Sequence, residues 1–182
     1  NFKELKKNKI KKFEEIKFKK KISLEKVYFK YTKTKPIFKN LNTDIHAKKI
    51  TCIYGPSGVG KSTLTDIIMG LVHPTRGNVK VDGKKLNSNN IDSWHNSIGY
   101  VGQSFYLLNE SILKNIIFRS SRVNYKKAEK AAKIFFSASE LKNLLTKKTI
   151  GENGKFISFG QKQRLVLSRL IYQNKDIIIL DE

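Results

Sequence analysis

Cysteine occurs once, at Cys52, so no internal disulfide can form and the chain suits a reducing compartment. Cys52 sits in an apolar run and is expected to be a small core residue. No apolar stretch approaches the length of about eighteen residues that a membrane helix needs. The longest pure run is Ile177-Ile178-Ile179-Leu180, which is strand-sized. The lysine-rich start lacks a continuous apolar core after its charges, so a signal peptide is not expected. Acids are few: 15 Asp and Glu face 37 Lys and Arg, a net charge of +22. Arginine, the usual reader of phosphates and bases, is also scarce, which argues against sequence-specific nucleic-acid recognition. The lysine excess, with abundant Asn and Ile, matches the codon bias of an AT-rich genome. It would also suit a cytoplasmic domain near anionic lipid headgroups.

With 39% hydrophobic and 29% charged residues, the chain has the composition of a globular domain. Residues 1–21 are lysine-dense, show no clean helical stripe, and read as a linker. From Ile22, ISLEKVYFKY alternates as a strand, and a turn at Thr34-Lys35-Pro36 leads into a second strand, IFKNLNTDIHA. Lys49–Tyr54 reads as a short strand. Residues 62–70 carry helical spacing and end at Gly70, a C-cap. Gly77–Val81 reads as a strand entering the Asp82-Gly83 turn, and Ser97–Val101 as another. Residues 104–156 become helical, with Asn109 or Ser111 as caps. A further helix over 161–173 precedes the strand 176–180. Strands alternating with helices predict an α/β fold with a parallel-sheet core and a helical insert.

The strongest signal is Gly55-Pro56-Ser57-Gly58-Val59-Gly60-Lys61-Ser62, a full GxxxxGK[ST] phosphate loop, with Thr63 following it into the helix. Glycines let the backbone wrap so that its N–H groups converge on phosphate oxygens. The helix N-terminus adds partial positive charge. Lys61 reaches the β- and γ-phosphates, and the Ser62 hydroxyl is placed to ligate Mg²⁺. The chain ends in Ile177–Leu180 followed by Asp181 and Glu182, which reads as a buried parallel strand presenting carboxylates where open α/β sheets bind ligands. Asp181 would hold Mg²⁺, directly or through water, and Glu182 would orient or deprotonate an attacking water.

With both halves in view, residues 22–182 resemble the nucleotide-binding domain of ABC transporters. The resemblance implies a P-loop NTPase core (22–103 and 161–182), an N-terminal antiparallel β subdomain, and a helical subdomain at 104–160. It identifies Gln103 with the Q-loop glutamine that senses Mg²⁺ and the membrane domain, and Tyr31 with the aromatic residue that stacks on adenine. Ile157-Ser158-Phe159-Gly160-Gln161, continued by Lys162-Gln163-Arg164, matches the LSGGQ signature. In this family Ser158, Gly160 and Gln161 would receive the γ-phosphate of ATP bound on a second domain, in a head-to-tail dimer. Gly151-Glu152-Asn153-Gly154 and Ser104–Ile112 resemble exporter segments, with lipid and lipid-linked oligosaccharide flippases nearest. The implied cofactors are ATP and Mg²⁺. The implied partners are a transmembrane domain, fused or separate, and a second nucleotide-binding domain, at the cytoplasmic face of the cell membrane.

Two departures stand out. Phe159 replaces a signature glycine, adding bulk where close packing across the dimer is expected, and should weaken that contact. Nothing follows Glu182 and no methionine starts the chain, so we expect a truncated piece of a longer protein, with little ATP turnover alone. The competing readings are a soluble ABC ATPase acting on nucleic acid, favoured by the charge, and a catalytically silent ATP-binding regulatory domain, favoured by Phe159.

Overall fold

The computed structural model describes residues 14–32, 35–102, 104–118, 120 and 122–181. The chain divides into two compact units, residues 1–97 and 98–182.

In the first unit, β1 (Lys21–Phe29) pairs antiparallel with β2 (Phe38–His46) and on its other edge with β3 (Arg76–Val81), which pairs with β4 (Lys84–Lys85). The sheet order is β2-β1-β3-β4. Alternation buries Ile22 and Leu24 of β1, a register irregularity at Glu25-Lys26 shifts the inward set by one to Val27 and Phe29, and Val79 and Val81 of β3 and Ile67, Ile68 and Met69 of helix α1 are buried too. Gly77 is required where β3 begins. Its φ is +86°, and a β-carbon there would run into the carbonyl oxygens of Glu25 and Lys26. The Asp82-Gly83 turn joins β3 to β4 as the sequence predicts, but Asp82 does more. Its carboxylate accepts the backbone N–H groups of Lys19 (2.6 Å), Lys20 (2.9 Å) and Lys21 (2.8 Å), drawing the incoming chain onto the sheet.

Of the segment read as a basic linker, residues 1–13 lie outside the described residues, whereas residues 14–20 are packed against this unit. Ile16 is buried, its N–H donates to Ser93 Oγ, and Phe18 meets Trp94 edge-on with ring centroids 6.3 Å apart. Trp94 belongs to α2 (Ile91–Ser97), a helix the sequence reading overlooked. The indole is fully buried and donates to the Ile68 carbonyl at 2.9 Å.

Two expectations for this unit need correction. Lys49–Tyr54 is not a strand, because among the described residues no ladder reaches it. β propensity is a preference for a half-buried pleated surface, and without a partner the backbone has nothing to pair with. Cys52 is accordingly exposed rather than a core residue, and Ile50, Ile53 and Tyr54 are exposed with it.

In the second unit, β5 (Ile98–Val101) and β6 (Ile177–Leu180) pair in parallel, Ile98 opposite Ile177 and Val101 opposite Leu180. The crossover between them holds α3 (Ile112–Ile117), α4 (Tyr125–Ala132), α5 (Ala138–Leu145) and α6 (Phe159–Gln173). Ile112, Ile116, Ala128, Ala132, Leu141, Leu144, Leu165 and Val166 form one core. The parallel pairing matches expectation, but β6 is not buried on both faces: Ile178 and Leu180 are 47% and 61% exposed. Within the region 104–156 read as helical from the sequence, residues 125–145 form two helices, the second capped by Ser137.

A buried polar knot ties the 106–111 segment to α3 and α6. The fully buried Asn115 accepts the Leu108 N–H at 2.8 Å and donates to the carbonyls of Leu108, Glu110 and Ser111. Arg169 of α6 donates to the carbonyls of Asn115 (2.9 Å) and Tyr106 (3.3 Å). Burial pulls the Arg169 pKa down to about 10, still far above neutrality, so the group stays charged. Asn115→Ala would strand several buried backbone groups, and a loss of about 3 kcal/mol is expected, read as a lower urea midpoint of the second unit.

Candidate functional site

The phosphate loop belongs to the first unit. Residues 51–59 are exposed, and α1 (Lys61–Met69) starts immediately after Gly60. Gly60 adopts φ +104°, and a β-carbon there would collide with Ile37 and press on the Phe38 ring at 3.2 Å. Glycine is therefore needed on two counts, conformation and space. It also leaves α1 without a side-chain cap, unlike α3, α4, α5 and α6, whose first turns are closed by Ser111, Asn124, Ser137 and Ser158. The first-turn N–H groups of α1 are thus uncommitted to a cap, and the helix dipole adds to their positive potential.

The Lys61 ammonium curls into the loop, donating to the carbonyls of Gly55 at 3.0 Å and Pro56 at 3.1 Å. These are exchangeable contacts to neutral acceptors, and a phosphate oxygen would be a stronger one. Ser62 is exposed on the first turn, where its hydroxyl is accessible to a cation. Thr63 is buried instead, its Oγ1 lying 3.3 Å from the Tyr31 hydroxyl. Tyr31 stands two residues beyond β1, 45% exposed, with its ring edge-on to Phe29 at 5.0 Å. An aromatic face is thus held next to the loop-to-helix junction. At C-cap Gly70 the chain takes the left-handed conformation predicted for it.

The remaining predicted residues belong to the second unit, except that Gln103 and Glu182 lie outside the described residues. Asp181 follows β6 directly. Its N–H donates to the Val101 carbonyl at 2.8 Å, extending the β5–β6 ladder, and its carboxylate accepts the Tyr100 hydroxyl at 3.1 Å. Among the described residues no three His, Cys, Asp or Glu side chains gather as a metal cage. Ser62 in the first unit and Asp181 in the second are each an oxygen donor of the kind that Mg²⁺ takes.

The signature segment forms the start of α6. Ser158 is its N-cap and makes a reciprocal capping box with Gln161. Ser158 Oγ accepts the Gln161 N–H at 3.2 Å, and Gln161 Oε1 accepts the Ser158 N–H at 2.9 Å. Phe159 is 64% exposed, its ring 5.7 Å from that of Phe105, which rests on the helical core. Gly151, at φ +78°, opens a single 3₁₀ turn, Glu152–Gly154, after which Phe156 is exposed.

One residue of this cluster escaped the sequence reading. Glu140, in the first turn of α5, accepts from Gln161 Nε2 at 3.0 Å and from an Arg164 terminal nitrogen at 2.5 Å. The available signal was the spacing Ser137-x-x-Glu140, an S-x-x-E capping pattern. The hydrogen bond from Gln161, aided by that from Arg164 and against the opposing effect of desolvation, holds the Glu140 carboxyl below the ordinary glutamate value of 4.5. A lowered folded-state pKa contributes stability that is complete above 4.5 and disappears as pH falls through the folded value. From about pH 5 to about pH 3 the thermal midpoint of the native chain should therefore fall more steeply than that of Glu140→Gln, measured by circular dichroism.

Comparison with known proteins shows the family. The ABC transporter family matches residues 38–182. The ATP-dependent lipid A-core flippase of Photorhabdus laumondii is 32% identical over 165 residues, covering 88% of this chain and 28% of the flippase. The mitochondrial iron-sulfur clusters transporter ATM1 of Yarrowia lipolytica is 34% identical over 167 residues, 88% of this chain and 23% of the transporter. A bacterial Atm1-family ABC exporter solved with ATP bound superposes with a TM-score of 0.82 at 26% identity, over 92% of this chain and 30% of the exporter. The chain thus spans between a quarter and a third of the length of most such relatives. An uncapped helix behind a glycine-wrapped lysine, a strand-end aspartate and a serine-capped signature helix occur here in a chain of matching sequence and fold, which belongs to the ABC transporter family as an ATP-binding domain of the exporter and flippase type.

Proposed function

We propose that this domain binds and hydrolyses ATP to drive an exporter-type membrane transporter. The carrying observation is the Gly55–Ser62 loop, where a lysine hydrogen-bonded to two neutral loop carbonyls stands at a helix start with no side-chain cap. In this reading Lys61 exchanges its loop carbonyls for β- and γ-phosphate oxygens, while N–H groups of residues 57–62 surround the phosphates. Tyr31 stacks on adenine. Ser62, Asp181 and Gln103 would hold Mg²⁺, which when bound neutralises charge on the phosphate oxygens. Glu182 holds the attacking water and takes its proton.

The partners follow from the same reading. Ser158, Gly160, Gln161 and the N–H groups of the α6 first turn receive the γ-phosphate of ATP on a second nucleotide-binding domain. ATP then stabilises a closed pair, and its hydrolysis releases it. A transmembrane domain would be moved between states through Gln103 and the Gly151–Gly154 loop, at the cytoplasmic face of a membrane. No helix among the described residues is long and apolar enough to cross a membrane. The substrate class in this reading is lipid, oligosaccharide-lipid or peptide, and the lipid A-core flippase relatives favour the lipid member of that set.

In the full-length transporter, Lys61→Ala should lower ATP affinity at least about tenfold and abolish turnover, measured by nucleotide binding and phosphate release. Retained turnover would remove the loop from the mechanism. Phe159→Gly should raise turnover if the ring crowds the contact between the two domains. An unchanged rate in the assembled transporter would reject that role.

A further inference from the structure

Both α5 and α6 begin with a serine cap followed at the third position by a residue able to close a capping box: Ser137 with Glu140, and Ser158 with Gln161. In α6 the box closes in both directions. In α5 Ser137 Oγ accepts the Glu140 N–H at 3.3 Å, and the Glu140 carboxylate, near enough to its own cap to feel the Ser137 backbone N–H, also reaches across to α6. There one oxygen accepts from both Gln161 and Arg164.

The consequence lies in the Gln161 amide. A glutamine amide has two nearly isosteric ends, an acceptor and a donor, and a half-turn about its terminal torsion exchanges them. Only the oxygen can serve the Ser158 N–H, because the NH₂ end would set donor against donor. A carboxylate that captures Nε2 leaves Oε1 facing Ser158 and excludes the flipped state. The same carboxylate balances Arg164, whose guanidinium lies over the Phe136 ring at 5.3 Å and whose Nε is buried without a partner among the described residues.

We propose that Glu140 is a positioning residue for the signature turn: from α5 it fixes Gln161, and through Gln161 the cap at Ser158, in the arrangement that meets the second domain's γ-phosphate. The receptor for phosphate is thereby built by two helices, and a displacement of α5 would reach Ser158 through one hydrogen-bonded side chain. This inference rests on the signature reading given above.

Two measurements test it, on Glu140→Ala and on the near-isosteric Glu140→Gln, which keeps one acceptor should the alanine variant fail to fold. Amide hydrogen exchange of this chain should show the Gln161 N–H exchanging about tenfold faster in Glu140→Ala, with a smaller increase in Glu140→Gln, while α4 amides are unchanged. In the full-length transporter the half-saturating ATP concentration should rise several-fold, about three to ten, with kcat within about twofold. Unchanged exchange at Gln161 in the folded variants, or an unaltered ATP dependence, overturns the proposal. Ser158→Ala separates it from its premise. If that variant lowers turnover while the Glu140 variants leave ATP dependence intact, only the positioning role fails; if Ser158→Ala has no effect, the signature reading itself fails.

Discussion

A backbone N–H at the start of a helix must find an acceptor, and this chain's chemistry follows from where it supplies one and where it does not. Ser111, Asn124, Ser137 and Ser158 close the starts of α3 to α6. Asp82 does the same for three successive amides leading into β1. At α1 the capping position is a glycine in a left-handed conformation, and its neighbouring lysine leans on loop carbonyls. The unmet demand of that helix start is what supports reading it as a receptor for a phosphate chain. The signature helix solves the opposite problem. Ser158 closes the Gln161 N–H of its first turn, yet the serine itself is exposed to solvent.

Much of this was legible in the sequence, for local reasons. Gly70 ends α1 and Ser111 starts α3 because each choice is made by a few adjacent atoms. The Asp82-Gly83 turn is likewise fixed by turn chemistry. What was misread depends on distant partners. The apolar run around Cys52 has the composition of a strand but finds no ladder among the described residues. Four successive apolar residues in β6 suggested burial on both faces, whereas Ile178 and Leu180 are open to solvent. The helix around Trp94 has weak periodicity and exists because the indole fills a pocket under α1.

The site divides in the same way. The loop, Tyr31, Asp181 and the signature are singled out by motif and order alone, and they stand as the proposed site. Glu140 is not singled out, because its meaning arises only when the third residue of one helix meets the third residue of another. Phe159 gained a neighbour no motif predicts, Phe105, so the replacement of a glycine there adds an aromatic contact as well as bulk.

The two arginines of α6 carry a last consequence. In a chain whose cations are overwhelmingly lysine, Arg164 and Arg169 sit where a planar fork is used edge and face together. Each lies over an aromatic ring, Phe136 or Phe118, while its nitrogens serve fixed oxygens. A lysine offers a point charge with neither flatness nor a second divergent donor. Whatever mutational drift has driven the rest of the surface toward lysine should therefore stall at these codons, leaving them as a record of where shape, rather than charge, is under selection.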